Sequence, residues 1–198
     1  LQLSIGGRYT YHTYGEKGAF EKNEKFTPRA GLIVQPFANT SLYVMYDQSF
    51  MPQSGSVFSG KRFIPVNGNN IEIGLKREWL NHQLLTQISV FEITKNNALT
   101  ADPVNRNFSI QTGQIKSRGF ELDILGSINK NFSMVANYGY INAKTTKDTD
   151  PLNVGVRTYA PVNTYNLWLK YKLVNGPCKG VSFGLGGNGE SKRYTATY

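Results

Sequence analysis

Gln111-Thr112-Gly113-Gln114-Ile115-Lys116-Ser117-Arg118-Gly119-Phe120-Glu121-Leu122-Asp123-Ile124-Leu125-Gly126-Ser127-Ile128 leads into Asn129-Lys130-Asn131 and then Phe132-Ser133-Met134-Val135-Ala136-Asn137-Tyr138-Gly139-Tyr140-Ile141-Asn142-Ala143. Before the Asn-Lys-Asn triplet, Phe120, Leu122 and Ile124 alternate with Glu121 and Asp123. After it, Phe132, Met134, Ala136, Tyr138 and Tyr140 alternate with Ser133, Asn137 and Gly139. A side-chain period of two sends the two sets to opposite faces of a strand. Three turn-forming residues are the right length to reverse the chain. The stretch reads as an antiparallel hairpin with one apolar face and one charged or small-polar face.

Outward from this hairpin the same reading repeats. Leu1, Leu3, Ile5, Gly7, Tyr9 and Tyr11 share one parity, and a polar loop is expected over residues 12–25. Strands follow over residues 26–35 and 41–50, separated by a short turn at 36–40. Tyr43 and Met45 blur the parity of the second of these, in which Leu42, Val44 and Tyr46 oppose Asp47 and Ser49. A Gly/Ser/Pro-rich loop covers 51–69, and Ile71, Ile73, Leu75 and Trp79 then oppose Glu72, Gly74, Lys76 and Glu78. The strand over 84–95 shifts phase at Phe91 and Ile93, which predicts a β-bulge there. A loop over 96–116 enters the central hairpin, whose second strand is expected to end near Ala143. Beyond a loop reaching Asn163, Tyr165, Leu167, Leu169, Tyr171 and Leu173 alternate with Asn166, Lys170 and Lys172. A ninth strand begins at Val181 after the Gly/Pro turn 174–180. Long and short connections therefore alternate, which is the rhythm of outer-membrane barrels with long external loops and short periplasmic turns.

Composition permits this reading. The 198 residues include 20 glycines and 13% aromatics, with only 39% hydrophobic residues. No run approaches the 18 apolar residues of a spanning helix, but a spanning strand needs only about 9–11 residues with every second one apolar. The net charge of +9 is spread through loops and strand ends rather than gathered on a reading element, which argues against nucleic acid and for solvated loops or an anionic surface. The single Cys178 cannot form an internal disulfide, and His12 and His82 have no metal-ligand spacing. Asn39, Asn107 and Asn131 head Asn-x-Ser sequons that read as polar turns. Gly184-Leu185-Gly186-Gly187-Asn188-Gly189 satisfies G-x-G-x-x-G, yet no helix or downstream acid supports a dinucleotide site.

The location of charge separates a membrane barrel from a soluble sandwich, since both bury an apolar face. Arg or Lys on a lipid-facing position costs roughly 2–4 kcal/mol at the bilayer midplane and little at its boundaries. The two basic residues on the apolar parity are Arg77 and Arg118, each at a strand end where it can snorkel. Tyr9, Tyr11, Phe26, Phe50, Trp79, Phe132, Tyr138, Tyr140 and Tyr165 crowd strand ends in the manner of interfacial girdles. The opposite face carries Arg8, Arg29, Asp47, Glu72, Lys76, Glu78, Glu121, Asp123, Lys170 and Lys172, as a wet lumen would.

Several segments carry a specific resemblance. Gln111-Thr112-Gly113 with Ser117-Arg118-Gly119-Phe120-Glu121-Leu122-Asp123 is similar to the barrel motif of TonB-dependent outer-membrane receptors, in the ferric-siderophore (hydroxamate-type) branch. Phe91-Glu92-Ile93-Thr94-Lys95-Asn96-Asn97-Ala98-Leu99-Thr100-Ala101-Asp102-Pro103 resembles it as well, as do Phe26-Thr27-Pro28-Arg29-Ala30-Gly31-Leu32, Ser41-Leu42-Tyr43 and Gln48-Ser49-Phe50-Met51-Pro52. The resemblance implies an all-β, antiparallel up-and-down meander of about nine strands, the C-terminal part of a 22-stranded type of transmembrane β-barrel. The plug and the remaining strands are then expected outside residues 1–198, since bacterial single-chain barrels have even strand counts. It further implies ferric-siderophore uptake, an energy-transducing TonB partner acting through the plug, and contact with outer-membrane lipid and lipopolysaccharide. No catalysis, protein metal ligand or cofactor is expected, because a chelator already holds the iron. The alternatives are a soluble all-β binding module, which predicts a detergent-free folded monomer, and a barrel-borne enzyme, which requires a catalytic constellation.

The resemblance points to loops for ligand contact without fixing residues. Phe58, Arg62 and Phe63 in one loop, Phe108 in the next, and Arg157 and Tyr159 in the last are the candidates. The competing reading of these side chains is that they pack the loops together.

Overall fold

The computed structural model describes residues 1–16, 19–102, 104–105, 107–157 and 160–193. They form one antiparallel sheet in which every strand pairs with its sequence neighbours, in the order β1 to β9. The strands are β1 (Gln2–Glu16), β2 (Ala19–Phe37), β3 (Thr40–Met51), β4 (Val66–Trp79), β5 (Leu84–Ala101), β6 (Ser109–Ser127), β7 (Phe132–Lys147), β8 (Asn163–Lys172) and β9 (Ser182–Glu190). A 3-10 turn, Pro151–Asn153, interrupts the connection between β7 and β8. No helix among the described residues is long and apolar enough to cross a membrane, which leaves crossing by strands untouched.

The register turns the alternation into layers. One cross-strand row runs Leu3, Leu32, Val44, Ile73, Val90, Phe120 and Tyr140; a lower one runs Leu42, Leu75, Ile88, Leu122, Tyr138 and Tyr165. Ile73, Val90, Ile88, Tyr165 and Leu167 are all exposed on this face, which is what a lipid-facing surface looks like without its lipid. The other face is hydrogen-bonded and polar. The Tyr43 hydroxyl donates to Glu72 at 2.6 Å, and the Gln87 amide donates to the Tyr43 oxygen at 3.3 Å. A relay crosses three strands from Asn166 to Asn137 (3.0 Å) and from Asn137 to Asp123 (2.6 Å). Tyr43 therefore belongs to the inward set, and its hydroxyl is what reconciles an aromatic with that face.

Three expectations are corrected. Residues 12–16 and 19–25 are not a loop: β1 and β2 stay paired from Thr10↔Lys25 to Glu16↔Ala19. Residues 96–101 and 109–116 likewise belong to β5 and β6. Apolar alternation vanishes where both faces meet water, but the backbone ladder continues because each strand satisfies the other's N–H and C=O groups. β1, β2, β5 and β6 thus outrun the roughly 9–11 residues that a membrane needs. The third correction concerns Phe91. Pairing of β4 with β5 is unbroken from Asn67↔Asn96 to Trp79↔Leu84, so no bulge lies there. Phe91 simply points inward, its ring lying across Gly119, where a Cβ would stand 2.7 Å from Phe91 Cζ. The register shifts instead at Asn96/Ala98 and Ala98/Thr100 of β5.

The two ends of the strands differ. Short connections join β2 to β3, β4 to β5 and β6 to β7, and a nine-residue one (173–181) joins β8 to β9. At the other end lie the long β1–β2 hairpin, residues 52–65, residues 102–108 and residues 148–162. Among the described residues the buried side chains Phe63, Val66, Ala98, Asp102 and Ala143 lie toward this long-loop end, while Thr40 is buried at the other and Thr27 and Ser89 between them.

Candidate functional site at the long-loop end

Residues 52–65 form a strap whose shape comes from its own turn chemistry. Gly55 (φ 106°) and Gly60 (φ 82°) occupy the left-handed region that side chains avoid. Ser56 and Arg62 pair as an antiparallel bridge, the Gly60 N–H donates to Val57 O at 2.9 Å, and the Phe63 N–H donates to Gly55 O at 3.0 Å. Phe63 is folded underneath, 8% exposed, with its ring against Gly55.

One side chain seats the strap on the sheet. Gln111 Oε1 accepts from the Ile64 N–H at 2.5 Å, while Nε2 donates to Ile64 O at 2.6 Å and to Asn97 O at 3.2 Å. The amide thereby imitates the two-way bond of a β-bridge, using a side chain in place of a strand. Asn97 completes the seat by donating from Nδ2 to Pro65 O at 3.0 Å. It stands at the β5 irregularity with φ 60°, a conformation asparagine tolerates better than most residues. Opposite the next residue, Ala98, Gly113 leaves room: a Cβ there would stand 2.9 Å from Ala98 O. The Gln-Thr-Gly segment is thus a docking device for the strap.

From this seat the strap reaches both neighbouring hairpins. The rings of Phe58 and Phe108 meet edge to face with centroids 5.1 Å apart. On the other side the Arg62 guanidinium lies 5.0 Å over the ring of Tyr14, on the extended β1. Lys25 of β2 donates to Asn67 Oδ1 of β4 at 2.7 Å. Phe108 is fixed by the β5–β6 tip: Asp102 N–H donates to Phe108 O (3.0 Å), and Phe108 N–H to Asn105 O (2.8 Å). Asp102 Oδ1 accepts from the Asn105 and Val104 N–H groups at 3.0 and 2.9 Å, and Oδ2 from the Asn105 amide at 3.1 Å. The Asn105 backbone N–H, then its side chain and the Val104 N–H, hold this carboxyl below its ordinary value.

The sequence-predicted residues therefore separate. Phe58 and Phe108 come together; Arg62 lies on Tyr14, and Phe63 is buried under the strap. Arg157 belongs to a different excursion, bridged to Lys144 at the end of β7. Tyr159 lies outside the described residues. Sequence reasoning missed Tyr14, Asn97 and the seating role of Gln111. For Tyr14 the obstacle was reading residues 12–25 as a loop; for Gln111 the motif itself was the available signal.

Phe58 and Phe108 are exposed, and with the Arg62 guanidinium on the same strap they suit an organic ligand carrying oxygen donors. Among the described residues no group of three or more His, Cys, Asp or Glu is placed to hold a bare metal ion.

Residues 1–198 match the family described as TonB dependent receptor-like, beta-barrel. The chain is 29% identical to the ferrichrome outer membrane transporter/phage receptor of Escherichia coli strain K12, over 98% of this chain and 26% of that protein. It is 29% identical to the metal-pseudopaline receptor CntO of Pseudomonas aeruginosa, over 88% of this chain and 25% of that protein. Among solved structures, P. aeruginosa FpvA in complex with a heterologous pyoverdine and iron superposes with a TM-score of 0.84 at 25% identity, covering 99% of this chain and 27% of that one. The chain thus spans about a quarter of the length of these relatives.

Proposed function

Because this chain belongs to the TonB-dependent receptor β-barrel family, we propose that its nine strands are a sector of a larger plugged barrel of the 22-stranded kind, and that the whole protein imports a ferric siderophore. Its place is the bacterial outer membrane. The import would be driven by the TonB protein acting on a plug outside this sector, and the barrel would rest against outer-membrane lipid and lipopolysaccharide.

The observation that carries the reading is the strap. It gathers Phe58, Phe108, Arg62 and Tyr14 from three successive hairpins at the long-loop end of a sheet with one apolar and one polar face. Aromatic edges would take the organic backbone of a chelate, and the guanidinium its oxygen atoms; hydroxamate chelates carry both. Iron is cargo here and needs no ligand from the protein. Against a catalytic reading, the relatives are named as transporters and receptors.

The test is uptake of radioiron as ferrichrome, ferrioxamine B or ferric pyoverdine by cells lacking their own receptors and carrying the whole protein. One of these chelates should be accumulated, only when TonB is present, and Phe58→Ala with Phe108→Ala should depress it. Uptake of none, or TonB-independent uptake, would overturn the assignment. Orientation is checked separately: cysteines placed at residues 57 and 152 should react with an impermeant thiol reagent on whole cells, while cysteines at 82 and 130 should not.

A further inference from the structure

The inner wall under the strap carries a second polar site. Arg8 stands opposite Thr27 and Arg29 opposite Gly6, so the two arginines are diagonal neighbours on one face of the β1–β2 ladder. Arg29 also stands opposite Asp47, which shares the parity of Tyr43 and therefore faces inward. With Thr10, Thr27 and Ser49 these three residues line a cavity of about 500 Å³. Gly6 keeps its floor open, since no atom lies within 4 Å of the place a Cβ would take. Asp47 is four residues before Met51, the end of β3, which at about 3.3 Å per residue puts Arg29 roughly 13 Å below the start of the strap. Arg8 stands two residues higher on the ladder, and above it Thr10 pairs with Lys25, whose amine is bonded to Asn67.

The cations of this cavity are short of acceptors. Among the described residues the Arg8 guanidinium has no hydrogen bond, ion pair or ring contact. Arg29 donates from Nη2 to Met45 Sδ at 3.4 Å, and a thioether is a weak acceptor. Asp47, the one carboxylate in the lining, forms no salt bridge with Arg29 and accepts instead from the Asn70 amide at 3.3 Å. The Thr27 hydroxyl is used within the ladder, donating to Arg8 O at 3.2 Å. Two guanidinium groups thus face a single, partly committed carboxylate across a space large enough for a ligand group. Each presents a planar pair of donors that fits a carboxylate with two parallel bonds.

Resting on the chelate-import reading above, we propose that Arg8 and Arg29 form an anion subsite that takes a free carboxylate of the incoming ferric chelate. The aromatic edges of the strap meet the organic body of the chelate, and the arginine pair below meets a charged group that plays no part in holding iron. The subsite therefore selects by charge: a chelate carrying such a carboxylate is preferred to a neutral one of the same size. On binding, Arg29 exchanges the Met45 sulfur for the carboxylate, a weak hydrogen bond given up for a charge-assisted one. The subsite is distinct from the strap, where Arg62 is engaged with Tyr14.

Two measurements on the whole protein test this. In the first, Thr10→Cys is introduced after Cys178→Ser and labelled with methanethiosulfonates carrying either a sulfonate or a trimethylammonium group. Relative to a small free thiol, the sulfonate reagent should react about tenfold faster, and Arg8→Gln with Arg29→Gln should bring the two rates together. In the second, the purified protein is titrated calorimetrically with ferrioxamine B acylated at its amine by succinate, which adds a carboxylate, or by acetate, which adds none. The succinyl chelate should bind about tenfold or more tightly, and the double arginine variant should lose that preference. Lys170→Gln with Lys172→Gln removes the same charge from the inner face of β8 and should leave both ratios unchanged. Charge-blind labelling, equal affinity for the two chelates, or binding of neither would overturn the proposal. So would a thiol at residue 10 that is shielded in the ligand-free protein together with a lowered melting temperature of the arginine variant, which would give the pair to a carboxylate of the plug. TonB-dependent uptake separates the two readings: a chelate still imported without any charge preference sinks this subsite alone, whereas uptake of none sinks the import reading with it.

Discussion

The two ends of these strands are built on different principles. At the short-turn end, the β4–β5 turn is closed by its own residues. Leu80, Asn81 and His82 all adopt positive φ, Glu78 meets His82 within the turn, Trp79 donates to Thr86 at 2.9 Å, and Arg77 lies 4.1 Å over the Trp79 ring. Within the turn the partners are a few residues apart, and single asparagines tie one turn to the next: Asn39 donates to Glu78 O at 3.2 Å and Asn131 to Lys172 O at 2.8 Å. At the long-loop end, Gln111 binds Ile64, 47 residues away, and Lys25 binds Asn67, 42 residues away. Short turns need little more than their own residues and one bond to a neighbour, whereas long excursions must be fixed against each other along their length. The first kind of order is cheap in information and legible from sequence; the second depends on the register of the whole sheet.

Four perturbations can break or sharpen this contrast. The largest effect should come from the span that both ends share. Leu167, cross-strand from Ala136 between the Tyr140 and Phe132 levels, lies near the middle of the apolar band. Leu167→Arg should destabilise the intact barrel by roughly 2–4 kcal/mol in a lipid refolding titration, and Lys170→Leu on the inward face by less. If the inward change cost more, the facing of β8 would be reversed.

Next comes the seat of the strap. Gln111→Ala leaves the Ile64 N–H and O and the Asn97 O without that partner, at about 1–2 kcal/mol for a set of partly solvated hydrogen bonds. The loss should be confined to residues 52–65. Faster amide exchange at Ile64, with unchanged protection in the middle of β6, is the expected pattern. Global loss of protection would mean the strap is integral to the sheet rather than docked on it.

A gain of about 1 kcal/mol or less is expected from Leu80→Gly, because glycine relieves a left-handed residue whose side chain opposes it. Thermal unfolding should shift upward without altering the protection of Ile64. A loss of stability would show that the Leu80 side chain contributes more than its backbone costs.

The smallest effect is in pH. Asp102 has its carboxyl lowered from 3.8 by the Asn105 and Val104 donors, so its contribution to the β5–β6 tip is full above that value. It is lost as pH falls through the lower folded-state value. Amide exchange at Val104 and Asn105, corrected for intrinsic rate, should rise only below about pH 4. Asp102→Asn should flatten that dependence, and a transition at higher pH would point to another group.

What residues 1–198 determined by themselves is the local part. Period-two alternation and turn-forming triplets such as Asn129-Lys130-Asn131 set the strands, their faces and the short connections, because both signals act within a few residues. The Gln-Thr-Gly and Arg-Gly-Phe-Glu segments identified the family. Of the proposed binding surface, Phe58, Arg62 and Phe108 were legible as aromatics and a cation in long connections. Only the tertiary structure decided the rest. It extended β1 through residues 12–16 and β2 through 19–25, where polar side chains on both faces erase the apolar period while the backbone ladder persists. It placed the irregularity of β5 at Asn97 rather than Phe91, since Gly119 makes room for that ring. It buried Phe63, set Arg62 on Tyr14, and put Arg8 and Arg29 at diagonal positions of one face. Each of these depends on which residue of one strand stands opposite which residue of another, a quantity fixed by summing every turn and bulge between them and written at no single position in the chain.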